Sequence, residues 1–223
     1  SHQSDFLIIG SGIAGLSFAL RAAENGTVTI LTKKSKAESN TNYAQGGIAS
    51  VFSENDSFDK HIEDTLTAGV GLCHKDAVSL IVHQAPERIR ELLNWGVYFT
   101  PEAKNNDHFD LGREGGHTRS RILHVKDYTG HALETGLLER VKEDPNIVIL
   151  ENHVVIEFIT EHHLSDLESH SGRKIHCWGV YALNGETKNV EIYQAKVTLL
   201  SSGGTGKVYL HTTNPSIATG DGV

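Results

Sequence analysis

The stretch from Phe6 to Leu31 leaves this chain few folds to choose from. Phe6-Leu-Ile-Ile is a short apolar run ending at Gly10 and reads as a buried strand. Ile13 to Glu24 carries apolar residues at helical spacing and stops at Asn25-Gly26, a pair that ends helices. Val28-Thr-Ile-Leu is the next buried strand. Strand, glycine turn, helix and strand within about thirty residues form a βαβ unit, whose crossover is right-handed. A chain of 223 residues can bury a substantial core around such a unit.

The remaining pattern extends that start. Residues 33–60 are polar and rich in Ser, Asn and Gly, which predicts a long loop, and long loops in compact domains are more often functional than idle. Asp59 to Ala68 and Asp76 to Asn94 read as helices, the second interrupted or kinked at Pro86. Residues 100–117 read as another loop, Arg119 to Val125 as a strand and Gly130 to Glu143 as a helix. From Ile147 onward the pattern is β, with strands at 147–150, 153–161, 175–183 and 190–194 and a hairpin signal at Asn184-Gly185. His162-His163 reads as an exposed strand end. Val197-Thr-Leu-Leu is a last buried strand before Ser-Ser-Gly-Gly. The expected fold is α/β: a doubly wound, mainly parallel sheet over residues 5–223, with a β-meander inserted at about 147–195. Residues 1–4 read as an addition to the N-terminus. The lack of methionine and the abrupt Thr219-Gly-Asp-Gly-Val ending predict a portion of a longer protein.

A net charge of -8 argues against nucleic acid as the main partner, but it does not exclude a small anion held by local arginines. No apolar run approaches the roughly 20 residues that span a bilayer, so no membrane association is expected. Cys73 and Cys177 lie far apart without metal-ligand spacing, which fits buried thiols in a reducing cytoplasm.

Gly10-Ser11-Gly12-Ile13-Ala14-Gly15 fits the dinucleotide pattern G-x-G-x-x-G between strand and helix. The first glycine permits the tight turn and the second lets backbone approach a pyrophosphate. The third allows helix and strand to pack closely. Free N–H groups and the helix dipole at the start of the 13–24 helix favour the phosphates. The acid expected at the end of the second strand, which would bind a ribose, is missing: Thr32-Lys33-Lys34 stands there, and a lysine can instead meet a phosphate. The loop therefore says dinucleotide without saying which one.

The second notable stretch is Gly112 to His131, with three arginines, three histidines and Glu114 around the flexible Gly115-Gly116 pair. Such a set suits a small anionic substrate. The same residues read equally well as a surface Arg–Glu network around a mobile glycine loop. His117, His124 and His131 are spaced by seven, which is neither a helical nor a tight metal-ligand spacing, and no metal is expected.

Together with the glycine loop, Tyr43-Ala-Gln-Gly-Gly-Ile-Ala resembles the flavoprotein family of succinate dehydrogenase and fumarate reductase. Within that family, Arg113-Glu-Gly-Gly-His, Arg121-Ile-Leu-His, Lys207-Val-Tyr, Thr213-Asn-Pro and Gly220-Asp-Gly are similar to the L-aspartate oxidases. The resemblance runs from about residue 5 to the end. It implies FAD, with its isoalloxazine ring against the Gly46-Gly47 backbone, where side-chain-free peptide can approach a flat ring. It carries Gly10, Ser11, Gly12, Ile13, Ala14, Gly15, Lys33 and Asp221 to the FAD site, together with Asn40, Thr41, Asn42, Tyr43, Ala44, Gln45, Gly46 and Gly47. Ser or Thr followed by Lys after the second strand is usual in that branch, so the absent acid is no anomaly. Succinate dehydrogenases carry a histidine, covalently bonded to FAD, where this chain has Asn40, so non-covalent FAD is expected.

The activity implied is oxidation of L-aspartate to iminosuccinate, with oxygen or fumarate as acceptor, at the first step of NAD biosynthesis. Quinolinate synthase is the implied consumer of the imine. Oxidising an amino dicarboxylate needs cations for two carboxylates, an acceptor for the ammonium, and a Cα–H turned to the flavin. Arginine suits the first task through its bidentate fork. Glu114 suits the second: a charge-assisted hydrogen bond of about 1.5–3 kcal/mol gives roughly one to two decades of preference for aspartate over succinate. Glu114, His117 and Arg121 are the expected catalytic set, with Arg119 on the same strand face as Arg121. The family's other substrate-binding arginines and histidines match no residue here. The rival readings are a fumarate reductase or succinate dehydrogenase flavoprotein subunit, and a cofactor-binding piece that is catalytically incomplete.

Overall fold

The computed structural model describes residues 1–103, 105–126, 128–161 and 175–223. The His162-His163 expectation lies outside them. In chain order the elements begin with β1 (His2–Ile9), α1 (Ile13–Ala22), β2 (Val28–Leu31), β3 (Ile48–Ala49), α2 (Phe58–Ala68) and α3 (Lys75–Asn94). They continue with β4 (Pro101–Glu102), β5 (Asn105–Phe109), β6 (Leu111–Gly112), β7 (Ile122–Leu123) and α4 (Thr129–Glu143). The last four are β8 (Ile147–Leu150), β9 (His153–Thr160), β10 (Cys177–Asn184) and β11 (Val190–Leu200). Two compact units result: residues 1–42 with 137–223, and residues 43–136.

The first unit is built on a six-stranded sheet ordered β8-β2-β1-β11-β10-β9. β8, β2, β1 and β11 run parallel, while β10 and β9 follow antiparallel. Ile8 pairs with Ile30 on one side and Leu199 on the other, so the Phe6–Ile9 run lies in the middle of the sheet. A strand covered on both faces reads as a continuous apolar run, which is why this segment stood out. α1 covers the sheet with Leu16, Ala19 and Leu20 buried. Leu7, Ile9, Leu31, Val180, Ala182 and Tyr193 form a buried cluster with Leu150, Val155, Phe158 and Ala195 packed against it.

Four expectations change here. The 147–150 segment is an edge strand of the parallel sheet and not the start of the meander. The expected strands at 190–194 and 197–200 are one strand, β11, whose first half serves the meander and whose second half pairs with β1. Residues 2–4, expected outside the domain, continue β1, with His2 opposite Tyr193. The β10–β11 hairpin is present, but its loop spans Gly185 to Asn189, closed by the Asn189 carbonyl accepting from Asn184 N–H at 2.9 Å. The Asn184 side chain caps it by accepting from the Glu186 and Thr187 N–H groups at 2.9 and 3.1 Å.

In the second unit, α2 and α3 accompany a small antiparallel sheet ordered β3-β7-β6 and a separate β4–β5 pair. α2 starts at Ser57, whose side chain accepts from Lys60 N–H at 3.3 Å. α3 runs uninterrupted through a buried Pro86. A single proline removes one helical N–H, and burial of its ring with Val82, Ile89 and Leu92 offsets that loss. The expected strand from Arg119 to Val125 contracts to Ile122–Leu123, because only those residues find ladder partners in β3 and β6. The 100–117 loop holds three short strands, and β3 breaks the 33–60 loop. Among the described residues no helix is long and apolar enough to cross a membrane.

Candidate functional site

In the first unit, a cavity of about 450 Å³ opens at the carboxyl ends of β1, β2 and β11. That is where an open α/β sheet binds its ligands. Its walls include Gly10 to Ala14, Lys33, Asn40, Thr41, Ser201 to Gly203 and Asp221. Gly10 has φ +109, and a Cβ there would lie 2.3 Å from the Ser201 carbonyl oxygen, so the turn requires glycine. A Cβ on Gly15 would lie 2.1 Å from the Gly10 carbonyl, which ties α1 closely to β1. Gly12 caps α1 without a side-chain hydrogen bond, and no acidic residue stands in the first turn. Thr41 Oγ1 accepts from Ile13 N–H at 3.0 Å and brings the 39–42 segment against the helix start.

Ser11 Oγ donates to the Lys36 carbonyl at 2.8 Å and to Thr32 Oγ1 at 3.2 Å, so the residues after β2 are bound to the glycine turn. Lys33 Nζ donates to Asp221 Oδ2 and Thr219 Oγ1, joining two expected site residues 188 positions apart. Its ammonium is thus already shared with a carboxylate and a hydroxyl. Lys33 and the Thr219 hydroxyl hold Asp221 below the usual carboxylate range. Asn40 Oδ1 is buried without a hydrogen-bond partner, an acceptor at the wall of the cavity. Asn42 N–H donates to Ser39 Oγ at 3.2 Å.

The second unit carries Tyr43 to Gly47 and the Arg113–His117 loop. Tyr43, Ala44, Gln45 and Gly46 are exposed, and the Ala44 carbonyl accepts from Gly130 N–H at 2.9 Å. The two glycines serve different ends. A Cβ on Gly46 would meet only Glu114 Oε1, at 3.9 Å, so its face is open to a flat ligand. A Cβ on Gly47 would lie 2.3 Å from the Leu123 carbonyl oxygen, so Gly47 is small in order to pack on β7. Glu114 is exposed, with Oε1 3.5 Å from Gly47 N–H at the outer limit of a hydrogen bond. The lone carboxylate therefore stands beside the open peptide of Gly46.

Arg121 is where the structure departs most from expectation. It is 0% exposed, with its fork closed on Asp56: Nε to Oδ2 at 2.7 Å and Nη2 to Oδ1 at 2.8 Å. Nη1 donates to Asp64 Oδ2 at 2.6 Å and to His117 Nδ1 at 3.1 Å. Arg121 is thus a buried clamp, and a direct substrate contact is withdrawn for it. Arg119 is exposed and, among the described residues, donates to the Thr118 carbonyl at 3.4 Å. Without the long strand, the two arginines do not share a face. Arg113 is exposed, and His124 is half-buried against Asp110 at 3.6 Å.

Burial pushes the Asp64 carboxyl up, but the Thr118 N–H, the Arg121 guanidinium and the Thr118 hydroxyl outweigh it and leave it at about 2. Burial works against Asp56 too, and its two bonds from Arg121 with the Ser57 N–H hold it below its ordinary value. Burial, then Arg121 and His117, push the His61 imidazole down. Asp56, His61 and Asp64 were not legible as site residues. The only trace was the His61/Asp64 pair at i and i+3 on α2, which shares a helix face in countless surface helices.

With that geometry in view, the comparisons identify the chain: residues 5–223 match the FAD binding domain family, and the protein belongs to it. The cofactor of this domain is FAD. The backbone cradle at Gly10–Gly15, the uncapped start of α1 and the orphan Asn40 oxygen fit such a dinucleotide. The chain is 48% identical over 219 residues to a chloroplastic L-aspartate oxidase of Nicotiana tabacum, covering 98% of this chain and 32% of that one. It is 44% identical over 225 residues to the L-aspartate oxidase of Vibrio cholerae, covering 100% of this chain and 41% of that one. Among solved structures it superposes on E. coli quinol fumarate reductase FrdA with a TM-score of 0.87 at 30% identity, over 99% of this chain and 36% of that one. The chain therefore spans about a third to two-fifths of these relatives' length.

Proposed function

We propose that the whole protein oxidises L-aspartate to iminosuccinate, with FAD held non-covalently. The observation that carries this is Glu114, a lone carboxylate beside the open Gly46 peptide, in a chain 41–48% identical to L-aspartate oxidases. FAD supplies the acceptor for a hydride. Glu114 receives the substrate ammonium and orients the Cα–N bond. Loss of one ammonium proton and of the Cα hydrogen as hydride leaves the protonated imine, which releases a second proton to water to give iminosuccinate. The electrons pass on to dioxygen, giving hydrogen peroxide, or to fumarate. Arg113 and His117 are the cationic and N–H groups offered to the carboxylates. The glycine turn, Lys33, Asn40 to Gly47 and Asp221 are the proposed FAD contacts. Asparagine at position 40 has no nucleophilic ring nitrogen to bond a flavin, which supports a dissociable cofactor.

The unstable imine requires prompt use, and quinolinate synthase is the proposed consumer at the start of NAD biosynthesis. The two free thiols, Cys73 and Cys177, support a reducing compartment such as the cytoplasm. The deciding experiment is an anaerobic titration of the full-length, FAD-loaded protein. Flavin bleaching by L-aspartate and not by succinate is expected. Bleaching by succinate moves the protein to the dehydrogenase branch. Glu114→Gln is expected to lose about one to two decades of aspartate oxidation while largely keeping fumarate reduction. Equal loss of both activities removes the ammonium role.

A further inference from the structure

Arginine carries five N–H donors and no acceptor, and it keeps its proton in proteins. Arg121 Nη1 sits 3.1 Å from His117 Nδ1, so the ring nitrogen in that contact must be the acceptor. The guanidinium cannot turn away, because Asp56 holds it bidentately and Asp64 holds the same Nη1 from another side. Asp64 Oδ2 also accepts from Thr118 N–H at 2.8 Å and from Thr118 Oγ1 at 2.9 Å. The backbone next to His117 and its ring are therefore fixed by one cluster. A proton on Nδ1 would set two donors face to face inside a buried, fully engaged network.

We propose that Arg121 is a positioning residue that fixes His117 as the Nε2–H tautomer, so that the imidazole offers an N–H to a carboxylate bound beside the Arg113–His117 loop. Three observations support it. His117 is half-buried, and its Nε2 has no partner among the described residues and is not among the sealed, unsatisfied atoms. The loop ahead of it holds Arg113 and Glu114, both exposed, so a guanidinium and a carboxylate lie within five residues of that N–H in sequence. The His61 ring lies 5.7 Å from that of His117, and with its Nδ1 buried and unpartnered it adds no competing acceptor contact to His117. A tautomer set by the partner of the other ring nitrogen is a general device of histidine sites. The carboxylate as ligand rests on the aspartate reading; the tautomer does not.

The test is two-bond ¹H–¹⁵N correlation on the full-length, FAD-loaded protein with ¹⁵N-labelled histidine, the His117 signals being assigned by their loss in His117→Gln. The expected pattern is that of an Nε2–H ring. An Nδ1–H pattern would overturn the proposal even if aspartate bleaches the flavin. Failure of aspartate to bleach it would instead remove the substrate reading and leave the tautomer standing. Arg121→Met, where it folds, is expected to give a mixture of tautomers, and an unchanged Nε2–H pattern there would take the assignment away from Arg121. Should that variant not fold, the unmodified protein's spectrum decides by itself. For the donor role, His117→Phe is expected to raise KM for aspartate about tenfold to a hundredfold, with kcat changing less. His117→Gln, which keeps an N–H donor, recovers part of that loss. Equal defects in the two variants would sink the donor role.

Discussion

The cavity at the glycine turn and the buried Arg121 cluster solve different problems with different materials. The first is made largely of backbone: a turn at Gly10, an uncapped helix start at Gly12 and strand ends that halt at one edge of a sheet. Its specific side-chain pair, Lys33 with Asp221, is partly open to solvent. The second is made chiefly of side chains, with a fully enclosed guanidinium between two carboxylates and an imidazole, and backbone N–H groups only bracing the carboxylates. Backbone sites tolerate changes of side chain and fail on added volume. Charge clusters tolerate little change of charge, because losing one partner strands the others in a low-dielectric interior.

The largest expected effect falls on the cluster. Arg121→Met leaves Asp56 and Asp64 buried without a countercharge and is expected to cost about 3–5 kcal/mol, read by urea unfolding. A loss below about 1 kcal/mol would show that water or another group compensates, and would break the contrast.

Next comes added volume at the turn. Gly10→Val sets a Cβ 2.3 Å from the Ser201 carbonyl at a positive φ. A cost of about 1–3 kcal/mol is expected, with a clear drop in the FAD-to-protein ratio after purification. Full FAD retention would show that the turn is not part of the cradle.

Acid sharpens the comparison further. Asp64 and Asp56 both have folded-state values below their ordinary 3.8, so their stabilisation is complete above that pH and is lost as pH falls below it, for Asp64 as pH approaches about 2. His61 is also lowered, from 6.5, so the unfolded chain takes that proton first and stability begins to fall below about pH 6.5. Thermal melts from pH 7 to pH 3 are expected to show Tm declining throughout, with a shallower upper limb in His61→Phe. A limb of unchanged slope in that variant would assign the effect elsewhere.

The smallest effect is expected at Lys33. Its pairing with Asp221 is half open, so Lys33→Met is expected to shift stability by about 0.2–1 kcal/mol while weakening FAD binding measurably by fluorescence titration. A stability loss as large as that of Arg121→Met would erase the distinction between the two regions.

The sequence by itself determined the βαβ start, the glycine turn, α2 and α4 nearly to the residue, and the class of cofactor. Those features depend on local periodicity and on backbone geometry that only glycine permits, so they are written within a few consecutive residues. It also marked Glu114 and the Ala-Gln-Gly-Gly loop, though not that Gly46 is open while Gly47 is packed against β7. The tertiary structure decided the rest. It moved 147–150 into the parallel sheet and joined 190–200 into one strand, because ladder partners are chosen by distant segments and not by the strand's own pattern. It turned Arg121 inward from a set of three look-alike arginines, because Asp56 and Asp64, 65 and 57 residues earlier, enclose it there. Burial and charge pairing are properties of neighbours in space, and the one-dimensional spacing of residues 56, 64, 117 and 121 carries no trace of them.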